Sequence, residues 1–223
     1  MSAGPPRGSR VGAEAQVVFG DRLGMAERYA QLLAGDGVAH GLIGPREADR
    51  VWERHLVNCA LVTELVPLGA RVVDVGSGAG LPGLAMACRR ADLTVVLVEP
   101  MQRRVDFLRG AIESLGLSGQ ATVLRGRAES PAVRAELGRG DWVTARAVAP
   151  LERLAHWCLP LLRPGGQLLA LKGARARIEV AEQGPAIRRA GGVVREIAEC
   201  GVGLVAEPTV VVVVERAERL QRI

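Results

Sequence analysis

The sequence is poor in aromatic residues, and its few cysteines are scattered. Phe, Trp and Tyr make up 3% of the 223 residues, which argues against a surface that stacks many single-stranded bases. The cysteines form no CxxC pair and have no histidine at metal-ligand spacing, so we expect buried thiols and neither disulfides nor a metal site. The four are Cys59, Cys88, Cys158 and Cys200.

Long apolar runs are also missing. No stretch of about 18 apolar residues, the length that spans a bilayer, is present. The Gly/Pro/Arg-rich opening, residues 1–12, lacks the apolar segment of a signal peptide. The sequence therefore predicts a cytoplasmic protein with no membrane partner.

Lysine occurs only once, at Lys172, and arginine supplies the remaining basic residues apart from three histidines. The net charge of +5 is compatible with a polyanionic partner but is weak support for one. A general preference for arginine explains the other basic positions. It leaves Lys172 unexplained, which makes this residue a functional candidate.

The stretch 71–83 reads as a buried strand, a glycine-rich turn and a helix start. β-Branched valines precede the turn, as a strand buried on both faces requires. Pro82 suits the first turn of the helix, where free N–H groups and the helix dipole favour a negatively charged ligand group. The acid and the glycines of the turn are Asp74, Gly76, Gly78, Gly80 and Gly83.

Strand and helix patterns alternate along the rest of the chain. Seven strands with helices between most of them describe a doubly wound α/β sheet. The last two strands lack a helix-length connection and should pair as an antiparallel hairpin. The strands after the glycine turn are predicted at 93–98, 121–124, 142–145, 167–171, 193–197 and 209–214.

One folding unit with three parts is predicted. Residues 1–20 show no periodicity and are interpreted as a flexible tail. Residues 21–66 carry apolar residues at helical spacing and form an N-terminal helical cap, and residues 67–223 form the sheet domain. His55 lies near the apolar stripe of the cap, where a half-buried histidine bonded to backbone is favoured over a substrate contact.

Two ligands fit the glycine turn. The spacing of Gly78, Gly80 and Gly83 matches the dinucleotide fingerprint, whereas Asp74-x-Gly76-x-Gly78-x-Gly80 matches a turn that binds S-adenosylmethionine. Asp74 can face the amino group of a methionine moiety and would repel a pyrophosphate. A sheet that ends in a hairpin also favours a methyltransferase over a dehydrogenase, whose second half continues as βαβ units.

Two later strand ends offer further nucleotide contacts. Glu99 closes the second strand and is predicted to accept hydrogen bonds from the ribose hydroxyls; an exposed acid that caps the next helix is the alternative. The third strand runs into residues 125–129, where a backbone N–H and an acidic side chain could meet the adenine edge.

These motifs together resemble one family. The segments WERHL (52–56), DVGSGAGLPG (74–83), ARA (145–147) and LKG (171–173) are similar to the small-subunit ribosomal RNA methyltransferase G family, also called glucose-inhibited division protein B. The resemblance extends over about residues 19–215. It implies a class I S-adenosylmethionine-dependent methyltransferase, a Rossmann-like α/β fold with a seven-stranded, mostly parallel sheet.

The resemblance also implies a reaction and a set of contacts. Its members transfer a methyl group to N7 of guanine 527 in the decoding-region 530 loop of 16S rRNA and leave S-adenosylhomocysteine. Many members have Asp-Ser where this chain has Asn58-Cys59, so no carboxylate role is carried over to that position. The family's cofactor contacts correspond to Gly76, Leu81, Ala128, Glu129 and Arg146.

Arg146 and Lys172 are the catalytic candidates. Guanine N7 needs no general base, so the protein must align the base, exclude water and stabilise the developing positive charge. Arg146 is interpreted as a cofactor or base contact, as a phosphate clamp or as a structural ion pair with Asp74 or Glu99. Lys172 is predicted to bind guanine O6 or a flanking phosphate, with a solvated loop lysine as the alternative.

Arginines in the loops after successive strands predict a rim that faces RNA. We expect a monomer that acts on 16S rRNA, within the small ribosomal subunit. The alternatives are a class I methyltransferase of a different RNA or small molecule, an NAD-type Rossmann enzyme and an inactive RNA-binding protein. The arginines of the rim are Arg125, Arg127, Arg139, Arg175 and Arg177, with Arg103 and Arg104 further out.

Overall fold

A seven-stranded sheet forms the centre of the computed structural model, which describes residues 11–146 and 149–218. The strand order is β3-β2-β1-β4-β5-β7-β6, and β7 runs antiparallel to both of its neighbours. The predicted α/β fold, its seven strands and the terminal hairpin are therefore confirmed. The strands are Arg71–Val75 (β1), Thr94–Glu99 (β2), Ala121–Arg125 (β3), Gly140–Arg146 (β4), Leu162–Lys172 (β5), Gly192–Cys200 (β6) and Thr209–Arg216 (β7).

Helices cover both faces of the sheet because its strands are apolar on both sides. Along β1, Val72 packs into one core cluster, and Val73 and Val75 pack into the other. The first cluster contains α1 to α5 and the second contains α6 to α8. The helices are Ala13–Phe19 (α1), Leu23–Leu32 (α2), Asn58–Leu61 (α3), Gly83–Arg89 (α4), Gln102–Leu115 (α5), Pro131–Leu137 (α6), Leu151–Cys158 (α7) and Ala176–Arg189 (α8).

The prediction of a flexible tail over residues 1–20 is wrong for α1. Phe19 is 3% exposed and meets the Trp52 ring edge-on at a centroid distance of 6.2 Å. The helix is two turns long, which is too short for its apolar residues to give a recognisable period. Residues 1–10 lie outside the described part of the chain, so the rest of the predicted tail is untested. The boundaries of the cap and the sheet domain stay predictions.

The cap is helical, as predicted, but much of it is not α-helix. Its second helical segment begins as a 3-10 helix at Pro45–Arg50, widens to a π-helix at Val51–Val57 and continues into α3. It ends as a 3-10 turn at Val62–Leu65. No helix among the described residues is long and apolar enough to cross a membrane.

Candidate functional site

The carboxyl ends of five parallel strands meet at one edge of the sheet. Side by side, β3, β2, β1, β4 and β5 end at Arg125, Glu99, Val75, Arg146 and Lys172. The parallel register therefore brings the glycine turn together with both catalytic candidates, as the sequence predicted. Ala147, the last residue of the ARA motif, and Val148 lie outside the described residues.

The glycine turn depends on backbone angles that favour glycine. Gly76, Gly78 and Gly80 have φ values of 72°, 57° and 94°, in the left-handed region that costs other residues energy. A Cβ atom on Gly80 would lie 2.7 Å from the Tyr29 hydroxyl oxygen. That hydroxyl donates a 2.7 Å hydrogen bond to the Ala79 carbonyl, so the cap holds the turn in place. Pro82 lies directly before α4 instead of within its first turn.

Asp74 is fully buried beneath this turn. Its Oδ2 atom accepts a 3.0 Å hydrogen bond from the Gly83 N–H, while Oδ1 has no partner among the described residues. Burial raises the pKa of Asp74 to about 7, against the opposing effects of the Gly83 N–H, the Ser77 side chain and the Arg146 guanidinium. A buried acceptor without a partner fits a ligand that brings a cationic donor, such as an α-amino group.

Glu99 fastens the turn to the second strand. Its carboxylate is 1% exposed, so the alternative of an exposed helix cap is wrong. One oxygen accepts the Gly78 N–H and the other the Met101 N–H, each at 3.0 Å, and Arg104 lies 3.6 Å away. An ionised carboxylate offers about four lone-pair sites, so Glu99 keeps capacity for ribose hydroxyls.

The loop after β3 carries two of the residues predicted to bind the cofactor. Ala128 is buried, whereas Glu129 is exposed and lies 3.9 Å from Arg127. Ala128 brings no polar side-chain atom, and the Glu129 carboxylate beside it is an exposed acceptor. This combination is compatible with contact to the face and the amino edge of a purine.

Arg146 is held by the cap. Its Nη1 atom donates to the Arg54 carbonyl oxygen at 3.1 Å and to Cys59 Sγ at 3.0 Å, and its Nη2 atom contacts Nδ1 of His55. Within the described residues it forms no ion pair with Asp74 or Glu99, so that interpretation of Arg146 is wrong. Its charge nevertheless lowers the pKa of Asp74.

The ring nitrogens of His55 contact the side chains of Arg146 and Glu47, instead of the backbone as the sequence favoured. The residue is 7% exposed, and its Nε2 atom lies 3.1 Å from Oε2 of Glu47. This contact has the distance of an ion pair but not the alignment of a hydrogen bond. Burial, and next the Arg146 charge, lower the pKa of His55 to about 4, although Glu47 opposes the shift.

Lys172 is not a solvated loop lysine. Its side chain is 9% exposed, and its ammonium lies 2.8 Å from Oε2 of Glu179 in α8. It also donates a 3.0 Å hydrogen bond to the Ala149 carbonyl oxygen, in the connection after β4. The same Glu179 oxygen accepts the Leu151 N–H at 3.3 Å. Lys172 therefore ties together β5, α8 and the loop that follows Arg146.

A cavity of about 1290 Å³ opens beside these two cations. Among the described residues predicted to bind the cofactor, only Arg146 lines it. The cavity therefore lies beside the predicted cofactor residues and shares only Arg146 with them. Its walls come from the cap, the ends of β4 and β5 and the β6–β7 connection, and they include Arg54, His55, Arg146, Lys172, Glu179 and Thr209.

Several of the arginines predicted for the rim lie at the carboxyl edge of the sheet, and one lies at the other edge. Arg125 ends β3, and Arg175 directly precedes α8, so both lie exposed at the carboxyl edge. Arg139 directly precedes β4 and therefore lies at the opposite, amino-terminal edge of the sheet. The error arises because Arg139 follows a helix, and only residues that follow a strand reach the carboxyl edge.

All four cysteines are buried free thiols, which confirms the predicted burial. Burial raises the pKa of each thiol, to about 12 for Cys88 and about 11 for Cys200. The same cause acts on Cys158 and Cys59, although Arg146 opposes it at Cys59. None of the four is therefore prepared as a thiolate nucleophile.

Sequence reasoning missed Glu47, Glu179 and Tyr29. The two glutamates are ordinary helical acids, and nothing local marks them as partners of His55 and Lys172. Tyr29 did carry a marker, because it is the only tyrosine and lies on the apolar stripe of a helix. A buried phenol normally finds a hydrogen-bond partner.

Comparisons with known proteins agree with this geometry. The family model described as rRNA small subunit methyltransferase G, GidB, matches residues 22–206. A protein of Salinispora arenicola is 56% identical over 219 residues, which cover 97% of this chain and 90% of that protein. A protein of Mycolicibacterium gilvum is 54% identical over 196 residues, which cover 88% of this chain and 86% of that protein. Both are named ribosomal RNA small subunit methyltransferase G.

Solved structures with the same fold are more distant in sequence. The mitomycin 7-O-methyltransferase MmcR has a TM-score of 0.60 at 19% identity, covering 85% of this chain and 60% of that one. A SAM-dependent methyltransferase from Aquifex aeolicus has a TM-score of 0.54 at 17% identity, covering 82% and 98%. The [4+2]-cyclase SpnF has a TM-score of 0.56 at 18% identity, covering 97% and 99%. The likeness concerns the fold, which supports more than one reaction.

Proposed function

Because the chain belongs to the rRNA small subunit methyltransferase G family, we propose that it methylates N7 of one guanine in 16S rRNA, guanine 527 of the decoding-region 530 loop. Membership confirms the resemblance found in the motifs. The protein is an S-adenosylmethionine-dependent methyltransferase of small-subunit rRNA, which excludes the NAD-type alternative. The target atom and the nucleotide are our proposal.

The arrangement around Arg146 is the observation that carries the proposal. A guanidinium at the end of β4 lines a large cavity, where its charge favours an electron-rich base edge or a phosphate. N7 carries an exposed lone pair and needs neither a base nor a covalent thiol. The protonated, buried cysteines argue against methylation at cytosine C5, which requires a thiolate.

The residues around the glycine turn fit the cofactor. S-adenosylmethionine, when bound, supplies an electrophilic methyl group on a sulfonium. We propose that Oδ1 of Asp74 accepts from the α-amino group and that Glu99 accepts from the ribose. The backbone of Gly76, Gly78, Gly80 and Leu81 admits the methionine part, and Ala128 and Glu129 receive the adenine.

On the substrate side, Arg146 orients the guanine and excludes water, while Lys172 shapes the loop that follows β4. The buried Lys172 ammonium also lines the cavity, so it remains available to guanine O6 or to a phosphate. The exposed arginines after β3 and β5 bind RNA phosphates. We expect a cytoplasmic monomer that acts on RNA shaped by the small subunit.

The test is the mapping of labelled methyl groups on small-subunit RNA, naked and in the assembled subunit. One methyl group per RNA is expected, at guanine 527, and cleavage with borohydride and aniline should mark it as N7-methylguanine. Arg146→Met should lower single-turnover transfer by about 10²-fold through lost orientation. Label at another nucleotide or another atom would refute the proposed target, and an unlabelled RNA would indicate an inactive RNA-binding member.

A further inference from the structure

Among the described residues, the cap alone supplies the hydrogen-bond partners of the Arg146 guanidinium. The Arg54 carbonyl, Cys59 Sγ and His55 Nδ1 all lie in residues 54–59. This segment carries the chain from the π-helix Val51–Val57 into α3, and π-helical turns are frequent at functional sites. The direction of a side chain that begins on the sheet is therefore set by the cap.

The contact with His55 requires one tautomer. A guanidinium has N–H donors and no acceptor, so Nδ1 of His55 must be the acceptor and the ring proton must be on Nε2. Nε2 lies 3.1 Å from Oε2 of Glu47, whose ionised carboxylate only accepts. At this distance the carboxylate attracts the Nε2–H even without the alignment of a hydrogen bond, so Glu47 favours the tautomer that Arg146 needs.

The charges around His55 agree with a neutral ring. Arg146 and Arg54 are the cations that face it, and Glu47 is the anion. Burial and Arg146 together lower the pKa of His55 to about 4, so the ring is neutral near pH 7. A protonated ring would turn a second N–H donor and a positive charge toward Arg146 and break the contact.

We propose that His55 is a positioning residue, which fixes the Arg146 guanidinium at the cavity through Nδ1, and that Glu47 holds the required tautomer. The inference rests on the proposed role of Arg146 in methyl transfer. Without the Nδ1 acceptor, the long arginine side chain gains rotamers, and fewer molecules hold the guanidinium where the guanine must lie. Loss of orientation should lower the rate of transfer more than the affinity for the cofactor.

Two uncharged substitutions distinguish the roles of the two ring nitrogens. The amide oxygen of His55→Asn lies about where Nδ1 lies, so it retains an acceptor for Arg146 and loses the contact with Glu47. The amide of His55→Gln lies about where Nε2 lies, so it faces Glu47 and leaves Arg146 without its acceptor. Both variants remove the same ring, and hence lose similar packing.

The measurement is single-turnover methyl transfer to small-subunit RNA, together with cofactor affinity and melting temperature. We expect His55→Asn to stay within about threefold of the parent and His55→Gln to fall by roughly tenfold or more, since misplaced groups cost up to 10²-fold. Cofactor affinity should match in the two variants. Equal rates in both variants, or a slower His55→Asn, would overturn the proposal.

Arg146→Met separates this inference from the proposed function. If that variant is inactive while His55→Gln transfers normally, only the positioning role fails; if it transfers normally, the role of Arg146 itself fails. Should the His55 variants not fold, Glu47→Gln and Glu47→Leu replace them, since Glu47 is partly exposed. Both remove its charge, but only Gln keeps an acceptor for Nε2–H, so the Leu variant should be several-fold slower. Equal rates in this pair would refute the role of Glu47.

Discussion

Single residues at the sheet edge are matched to partners from other elements. Lys172 of β5 meets Glu179 of α8, and Glu99 of β2 meets the Gly78 N–H of the turn. Asp74 is the exception, because one of its carboxylate oxygens is buried without a partner among the described residues. A buried charge without full compensation costs stability, and a cationic ligand can repay that cost.

Asp74→Asn should remove a pH dependence of the folding stability. Burial raises the pKa of Asp74 to about 7, so between about pH 4 and pH 7 the folded protein holds a proton that the unfolded chain has released. This contribution is fully present at low pH and is lost as the pH rises through 7. From pH 5 to pH 8 the loss is about 2–3 kcal/mol.

Urea unfolding of the cofactor-free protein at pH 5 and pH 8 measures this difference. The free energy of unfolding of the parent, relative to that of Asp74→Asn, should fall between the two pH values. His55 titrates in both proteins and cancels in the comparison. S-adenosylmethionine should bind the variant about tenfold more weakly, as expected for the loss of one charged partner. A constant difference between the proteins would show that Asp74 does not titrate in this range.

At the scale of elements, the glycine turn is shaped by α2 and α4 as much as by its own glycines. Tyr29 of α2 bonds the Ala79 carbonyl, and the Leu84 side chain of α4 lies against Gly80. A side chain at Gly80 would meet both neighbours. The turn therefore has little freedom to adapt to a substitution.

Gly80→Ala should destabilise the protein by about 1–3 kcal/mol, because its φ of 94° strains any residue with a Cβ atom. The new atom would also lie 2.6 Å from Leu84 Cδ1. We expect weaker cofactor binding as well, since the turn must shift. Chemical denaturation and isothermal titration measure the two effects.

Gly110→Ala is the matched control. Gly110 lies exposed within α5, and a Cβ atom there would have no neighbour within 4 Å. Alanine should stabilise this helix by about 0.5–1 kcal/mol and leave cofactor binding unchanged. If both alanine variants gave the same result, the strained turn would not be the cause.

For the molecule as a whole, the cap and the β6–β7 connection close around the cavity. Glu14 of α1 accepts the Ala206 N–H at 2.9 Å, and Glu64 accepts the Gly201 N–H at 2.9 Å. Thr209 at the start of β7 donates to the Asn58 carbonyl at 3.1 Å. Three contacts thus join the helical N-terminal part of the chain to the segment between β6 and the start of β7.

RNA binding should depend on which edge of the sheet an arginine occupies. Arg175→Gln removes an exposed cation at the carboxyl edge, so the slope of log affinity against log salt concentration should fall by about 0.7–1 unit. Arg139→Gln removes an equally exposed cation at the opposite edge and should leave the slope unchanged. Titration of labelled small-subunit RNA at several salt concentrations measures both. A change at Arg139 equal to that at Arg175 would mean that RNA binding does not distinguish the two edges of the sheet.

Local sequence patterns were enough to predict the strands and their alternation with helices. They also predicted the glycine turn, with Asp74 at the end of the strand that precedes it. Such features depend on periodicity and turn chemistry, which a few neighbouring residues determine. The parallel sheet then placed Arg146 and Lys172 at one edge, because every strand that follows a crossover ends there. The helix α1 was missed because two turns carry too little pattern.

The contact partners of the charged side chains, in contrast, depend on the tertiary structure. His55 and Arg146 belong to the cap and to β4, and Lys172 and Glu179 belong to β5 and α8. Which partner a charged side chain meets depends on how the helices pack against the sheet, to within a few ångströms. No local sequence pattern encodes that distance. The Asp74 oxygen without a partner among the described residues likewise results from burial beneath the turn. The edge on which Arg139 lies, by contrast, follows from its place before a strand.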